Sequence, residues 1–279
     1  MNAGEPSRSA MSAAVARGIH RLWDEPPWVL DDPFALQLVG DGWEAFAAQS
    51  VALSRPPYQA RGGVLLRARY PEDVLLRGTY AQYVILGAGL DSFAWRHPAF
   101  LRTGRVFEVD HPATQNWKRQ RARLLALPGS DHHFFVPVDL VRDALDRCLT
   151  AAGLDWAAPT LFSWVGSTMY LESAAIADTL RVVARCGSGS GIVLSWNPPV
   201  ALLDDRQRDF LADVARLVRG MGEPLRSAFT PDDITRLAAD AGLAVVEAPT
   251  QDELVERYFA GRRDGMRPVM VERLLWLRT

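Results

Sequence analysis

Apolar positions along this chain follow two rhythms. From residue 83 onward, short runs rich in β-branched and aromatic residues recur: YVILG, RVFEVD, FFVPVD, TLFSWVG, GIVLSW, LAVVEA and VMVERLLWL. Between and before them, DDPFALQLVGDGWEAFAAQS, AAIADTLRVVARC and TPDDITRLAADAG carry apolar residues at helical spacing. The last of these has start and stop signals, with Thr230 as N-cap, Pro231 at the first helical position, Asp232 and Asp233 in the first turn, and Gly242 at the end. Strands alternating with helices predict an α/β fold, a doubly wound and mostly parallel seven-stranded sheet with helices on both faces. Only one short helix and turn residues separate the final two strands, so the closing strand is expected to run antiparallel. Residues 1–80 read mainly helical and form a cap, residues 81–279 hold the sheet, and an insertion rich in Arg and Asp occupies about 197–229. Either extra segment is placed to fold over the C-terminal ends of the strands, where open α/β sheets bind ligands.

Composition narrows the partners. The chain has 279 residues, a formal net charge of -2 and scattered arginines, which gives no electrostatic footprint for nucleic acid. Two cysteines, Cys148 and Cys186, are too few for a disulfide framework and read as reduced thiols. No apolar stretch is long enough for a leader or a membrane span, so a cytoplasmic protein with no membrane partner is expected. His132 and His133 precede the third strand at its N-terminal end, away from the ligand-binding edge, and no metal is expected.

The first strand ends in YVILGAGLDS, where Gly87 and Gly89 flank Ala88 and precede Asp91. Glycine at the end of a buried strand lets a ligand approach the backbone. A dinucleotide loop reads G-x-G-x-x-G, which is the signature of an NAD(P)-dependent oxidoreductase; here Ser92 stands third, followed by Phe93 and Trp95, and accommodates a pyrophosphate poorly. The second strand ends in FEVD, with Glu108 and Asp110 on one face, at the distance where an acid partners ribose hydroxyls. The third is followed by Asp139 and Leu140. Each feature has a plainer reading: a tight turn for the glycines, a turn before His111-Pro112 for Asp110, a helix N-cap for Asp139. Their occurrence at three neighbouring strand ends points to one crevice suited to a nucleoside that carries an amino acid and no phosphate.

These residues resemble the leucine carboxyl methyltransferase family, whose members use S-adenosylmethionine. The likeness runs through DDPFALQLVG, RARYPED, GAGLDSFAWR, FEVDHPATQNWKRQR, the Asp139-Leu140 pair and TMYL, and ends at the ERL around Glu272. It implies a class I methyltransferase sheet with a reversed last strand and an N-terminal helical cap. It further implies that Gly87, Ala88, Gly89 and Asp91 pass beneath the methionine part of the cofactor, while Asp110 holds the ribose. Asp139 and Leu140 then face the adenine, and Arg67 grips the methionine carboxylate. Arg17 sits where relatives often carry a basic residue. The chain departs from the family at Val165, where many members have a glutamate, so the cofactor's amino group loses an acidic partner; Ser163 or a backbone carbonyl is the substitute on offer.

Methyl transfer from a sulfonium is an in-line displacement in which the protein aligns the reactants and excludes water. The family implies a carboxylate acceptor on a small molecule or peptide end, already ionised at neutral pH, so no catalytic dyad is expected. Tyr170 and Asn197 are candidates for positioning it. Asn197-Pro198-Pro199 is similar to an amine methyltransferase motif but follows the fifth strand rather than the fourth, and reads as a rigid loop. An apolar lid would favour charge neutralisation; Trp23, Trp28, Trp43, Trp164 and Trp196 are candidates, although core and cap packing is the commoner use of tryptophan. Binding without transfer, in a module that keeps only the fold, is the other alternative.

Overall fold

A computed structural model describes residues 6–52 and 59–279. The cap consists of α1 (Arg8–Trp23), α2 (Ala35–Val39), α3 (Trp43–Ala52) and α4 (Gln59–Arg77). There follow β1 (Gln82–Leu86), α5 (Phe93–Arg96), β2 (Arg105–Asp110), α6 (Pro112–Leu124), β3 (His133–Pro137), α7 (Leu145–Ala151), β4 (Thr160–Trp164) and α8 (Ser173–Val183). The chain then continues through β5 (Gly191–Trp196), α9 (Asp205–Gly220), α10 (Pro231–Asp240), β6 (Ala244–Glu247), α11 (Gln251–Phe259) and β7 (Arg273–Arg278).

The seven strands form one sheet in the order β3-β2-β1-β4-β5-β7-β6, with β7 antiparallel to both neighbours and the other pairs parallel. Side chains alternate across it. Val84 and Leu86 of β1 enter one apolar cluster together with Phe107 and Phe162, while Tyr83 and Ile85 enter another on the opposite face with Leu65 and Tyr70 of α4. A third cluster joins α1, α2 and α3 to Leu90 and Trp95.

Local chemistry explains most element boundaries. Thr230 caps α10 by accepting from the Asp233 N–H, and Gly242 turns the chain away with φ +87°. The run of helical spacing over 31–50 forms two helices, α2 and α3, because Gly40 and Gly42 adopt φ +85° and +86°. VMVERLLWL, expected as a single strand, enters the sheet only at Arg273. That residue pairs with Trp196, the last of β5, so residues 269–272 have no strand to pair with and run past the sheet edge.

Candidate active site

The tips of the first three strands are held level by backbone hydrogen bonds beyond the strand ends. The Ala88 N–H donates to the Val109 carbonyl at 3.0 Å, and the Val138 N–H to that of Asp110 at 2.9 Å. Gly87 and Gly89 turn the loop with φ +65° and +53°. A Cβ on Gly87 would stand 2.4 Å from Ser167 Oγ, so the loop is closed to any side chain there. Asp110 Oδ2 accepts the Gly89 N–H at 2.6 Å and Oδ1 the His111 N–H at 2.7 Å. Burial pushes this carboxyl up, and those two amides pull it part of the way back. Each oxygen keeps accepting capacity for a further donor.

Above these tips lies a cavity of about 530 Å³, within the range of small-molecule sites. Its wall includes Arg67, Gly87, Ala88, Gly89, Asp91, Asp110, Asp139 and Leu140, and, further along, Tyr170 and Asn197. Asp139 is not a helix cap: its Oδ1 accepts the Val141 N–H at 3.0 Å in a turn, and α7 starts six residues later. Asp91 accepts the Phe93 N–H at 2.7 Å, and burial raises its pKa.

Glu108, expected beside Asp110 in the site, lies outside it. It does not reach the cavity, because α6 crosses directly over that face of β2 and only the last strand residue, Asp110, clears it. Glu108 is fully buried, receives a hydrogen bond from Lys118 Nζ and lies 2.9 Å from His133 Nε2. The tryptophans give no lid either: no described residue of the cavity wall is a tryptophan, and Trp164 and Trp196 belong to the core. The apolar wall comes instead from Phe46 and from one face of α9, with Phe210, Val214 and Leu217.

Arg17 also has structural work. Its Nε donates to Asp32 Oδ2 at 2.8 Å and its Nη2 to the Leu90 carbonyl at 2.7 Å, which bolts α1 to the glycine loop. Beneath, Arg96 donates to Ser92 Oγ and to the buried carboxylate of Glu72. Ser92 therefore faces inward, and the four-residue α5 presents no long helix N-terminus to a pyrophosphate. The oxidoreductase alternative loses its physical basis here.

Ser167, Glu223 and Glu272, to which the sequence pattern assigns no role, join Asn197 at the polar end of the wall. Ser167 Oγ, Glu223 Oε1, Glu272 Oε2 and Asn197 Oδ1 are buried there without a hydrogen-bond partner. Glu272 falls in a stretch that reads as strand, and Glu223 in a loop with no periodicity. Arg67 is ion-paired with Glu272. The Tyr170 pKa is pushed up to about 12 by burial, against the pull of Arg67. His132 and His133 stand away from this wall, and no metal-binding cluster occurs among the described residues. No described helix is long and apolar enough to cross a membrane.

A parallel sheet with a reversed β7, a glycine-turned β1 tip and an acid at the tip of β2 define a class I methyltransferase. Residues 10–184 match the model of the leucine carboxyl methyltransferase family, and the chain belongs to that family. It is 29% identical, over 95% of both chains, to a putative S-adenosyl-L-methionine-dependent methyltransferase, YktD, of Bacillus subtilis. S-adenosylmethionine is the cofactor of this class. In fold it is similar to a DUF574 family protein from Streptomyces avermitilis, with TM-score 0.65, 17% identity and 98% of both chains covered. A putative methyltransferase from Thermobifida fusca gives TM-score 0.59 at 16% identity, with 100% of this chain and 96% of that one covered.

Proposed function

We propose that the chain transfers the methyl group of S-adenosylmethionine to a carboxylate of a small molecule or peptide terminus. The observation that carries this reading is that the wall holds, among the described residues, no imidazole free to act as a base. Tyr170 stays a phenol at neutral pH, so it donates and does not act as a base. The one imidazole among the described lining residues, His111, caps α6 by accepting the Ala113 N–H at 3.3 Å. A hydroxyl acceptor is best served by an imidazole base, whereas a carboxylate is already ionised and needs none.

The orphaned buried oxygens and the glycine cradle fit the cofactor. Asp110 would hold the ribose hydroxyls, Asp139 and Leu140 the adenine, and Gly87 to Gly89 the methionine chain. Bound there, S-adenosylmethionine supplies a methyl group activated by the sulfonium charge. Arg67 and Tyr170 orient the reactants, and the apolar faces of Phe46 and α9 keep water out, which strengthens the attraction between cationic donor and anionic acceptor.

Incubation with tritium-labelled S-adenosylmethionine and a panel of carboxylic acids tests the acceptor. Methyl esters release volatile methanol in mild alkali, so the expected label is base-labile. Base-stable label would mark a hydroxyl or amine acceptor, and cofactor binding without any transfer would mark a binding module. Asp110→Ala is expected to weaken S-adenosylhomocysteine binding by about 1–3 kcal/mol, since hydrogen bonds from the ribose and the Gly89 amide both lose their acceptor. Unchanged affinity in calorimetry would remove Asp110 from the site.

A further inference from the structure

We infer that Glu272 receives the α-amino group of the cofactor while Arg67, paired with it, takes the α-carboxylate; this rests on the cofactor reading above. Glu272 stands immediately before β7, at the sheet edge where β5 ends. One carboxylate oxygen accepts from Arg67 Nη1, and the other is buried with no partner. The Arg67 guanidinium lies against Gly166, where a Cβ would come within 2.6 Å of Cζ, and the next residue, Ser167, touches Gly87 in the same way. Gly87, Gly166, Arg67 and Glu272 thus enclose one corner of the cavity.

An amino-acid end carries its carboxylate and its ammonium on a single carbon. A cation and an anion side by side match both groups at once, and Arg67 with Glu272 supplies that arrangement. An ammonium brings three donors, which satisfies the orphaned oxygen of Glu272 and lets Arg67 turn its fork to the carboxylate. Val165, in the position of the family glutamate, is apolar, and Ser163 offers only a neutral hydroxyl. Asp91 lies under the influence of Arg96 and Arg17 at the glycine loop.

Titration calorimetry of wild type and Glu272→Gln with three probes decides the matter. S-adenosylhomocysteine is expected to bind the variant about 10- to 100-fold more weakly, the range for hydrogen bonds to a charged group. Methylthioadenosine, which lacks the amino acid, and the deaminated analogue of S-adenosylhomocysteine should bind both proteins equally. Unchanged S-adenosylhomocysteine affinity, or an equal loss for all three probes, would overturn the assignment, the second result marking a role in holding β7 and Arg67. Wild type that binds none of the three would overturn the cofactor reading itself.

Discussion

Arg96→Met is expected to destabilise the protein by about 3–5 kcal/mol, the range found when one partner of a buried ion pair is removed. Its guanidinium is the centre of a charged layer under the glycine loop. It donates to Glu72, 3% exposed, at 2.9 Å through Nη1 and again through Nη2, and to Ser92 Oγ at 2.8 Å. It also bears electrostatically on Asp32 and Asp91. Burial alone would raise the Glu72 pKa, but Arg96, helped by His97, holds it down at about 2. The folded value lies below the ordinary 4.5 of the unfolded chain, so this stabilisation is complete above pH 4.5 and is lost as pH falls toward 2. In the variant, burial acts on Glu72 with little opposition, its pKa rises, and acid relieves the strain. The stability difference between the two proteins should therefore shrink as pH falls from 7 toward 3. Urea midpoints measured across that interval check both claims; a constant difference would show that Arg96 acts by packing rather than by charge.

That layer also explains how far the sequence could be read. The stretches DDPF, RYPED and GLDSFAWR look like a ligand signature, yet three of their charged residues, Asp32, Glu72 and Arg96, face the scaffold. Arg17 and Asp32 carry cap against loop, and Glu72 and Arg96 carry α4 against the end of α5. Partners separated by 15, 24 or 73 positions leave no periodic trace. The strand tips were legible because glycine after an apolar run, and an acid closing the next strand, are local patterns. Glu108 escapes pattern reading for a related reason. Period two puts it on the same face as Asp110, but the crossover helix that covers it is a fact of packing. Residues 269–272 look like strand because hydrophobic periodicity does not register the point at which the neighbouring strand ends.

Lys118→Met should have an effect of similar size, about 3–5 kcal/mol, through the charge it strands. Lys118 and Glu108 are both fully buried and hydrogen-bonded to each other. The ammonium also sits 5.3 Å from the Trp95 ring centroid and 5.8 Å from that of Phe135. Burial raises the Glu108 pKa, and Lys118 and His133 together outweigh it, so the carboxyl is held below its usual range. Without Lys118, His133, 2.9 Å from Oε1, is the partner left to the carboxylate among the described residues. The double variant Glu108→Leu with Lys118→Met removes the charge together with its partner and should recover most of the loss, because a well-packed apolar pair can replace a buried ion pair. Denaturant midpoints of the single and double variants, at unchanged slope, measure the coupling. If the single variant loses less than about 1 kcal/mol, the magnitude typical of an exposed pair, then water reaches Glu108 in solution. The face of β2 two residues below Asp110 would then be open rather than sealed by α6.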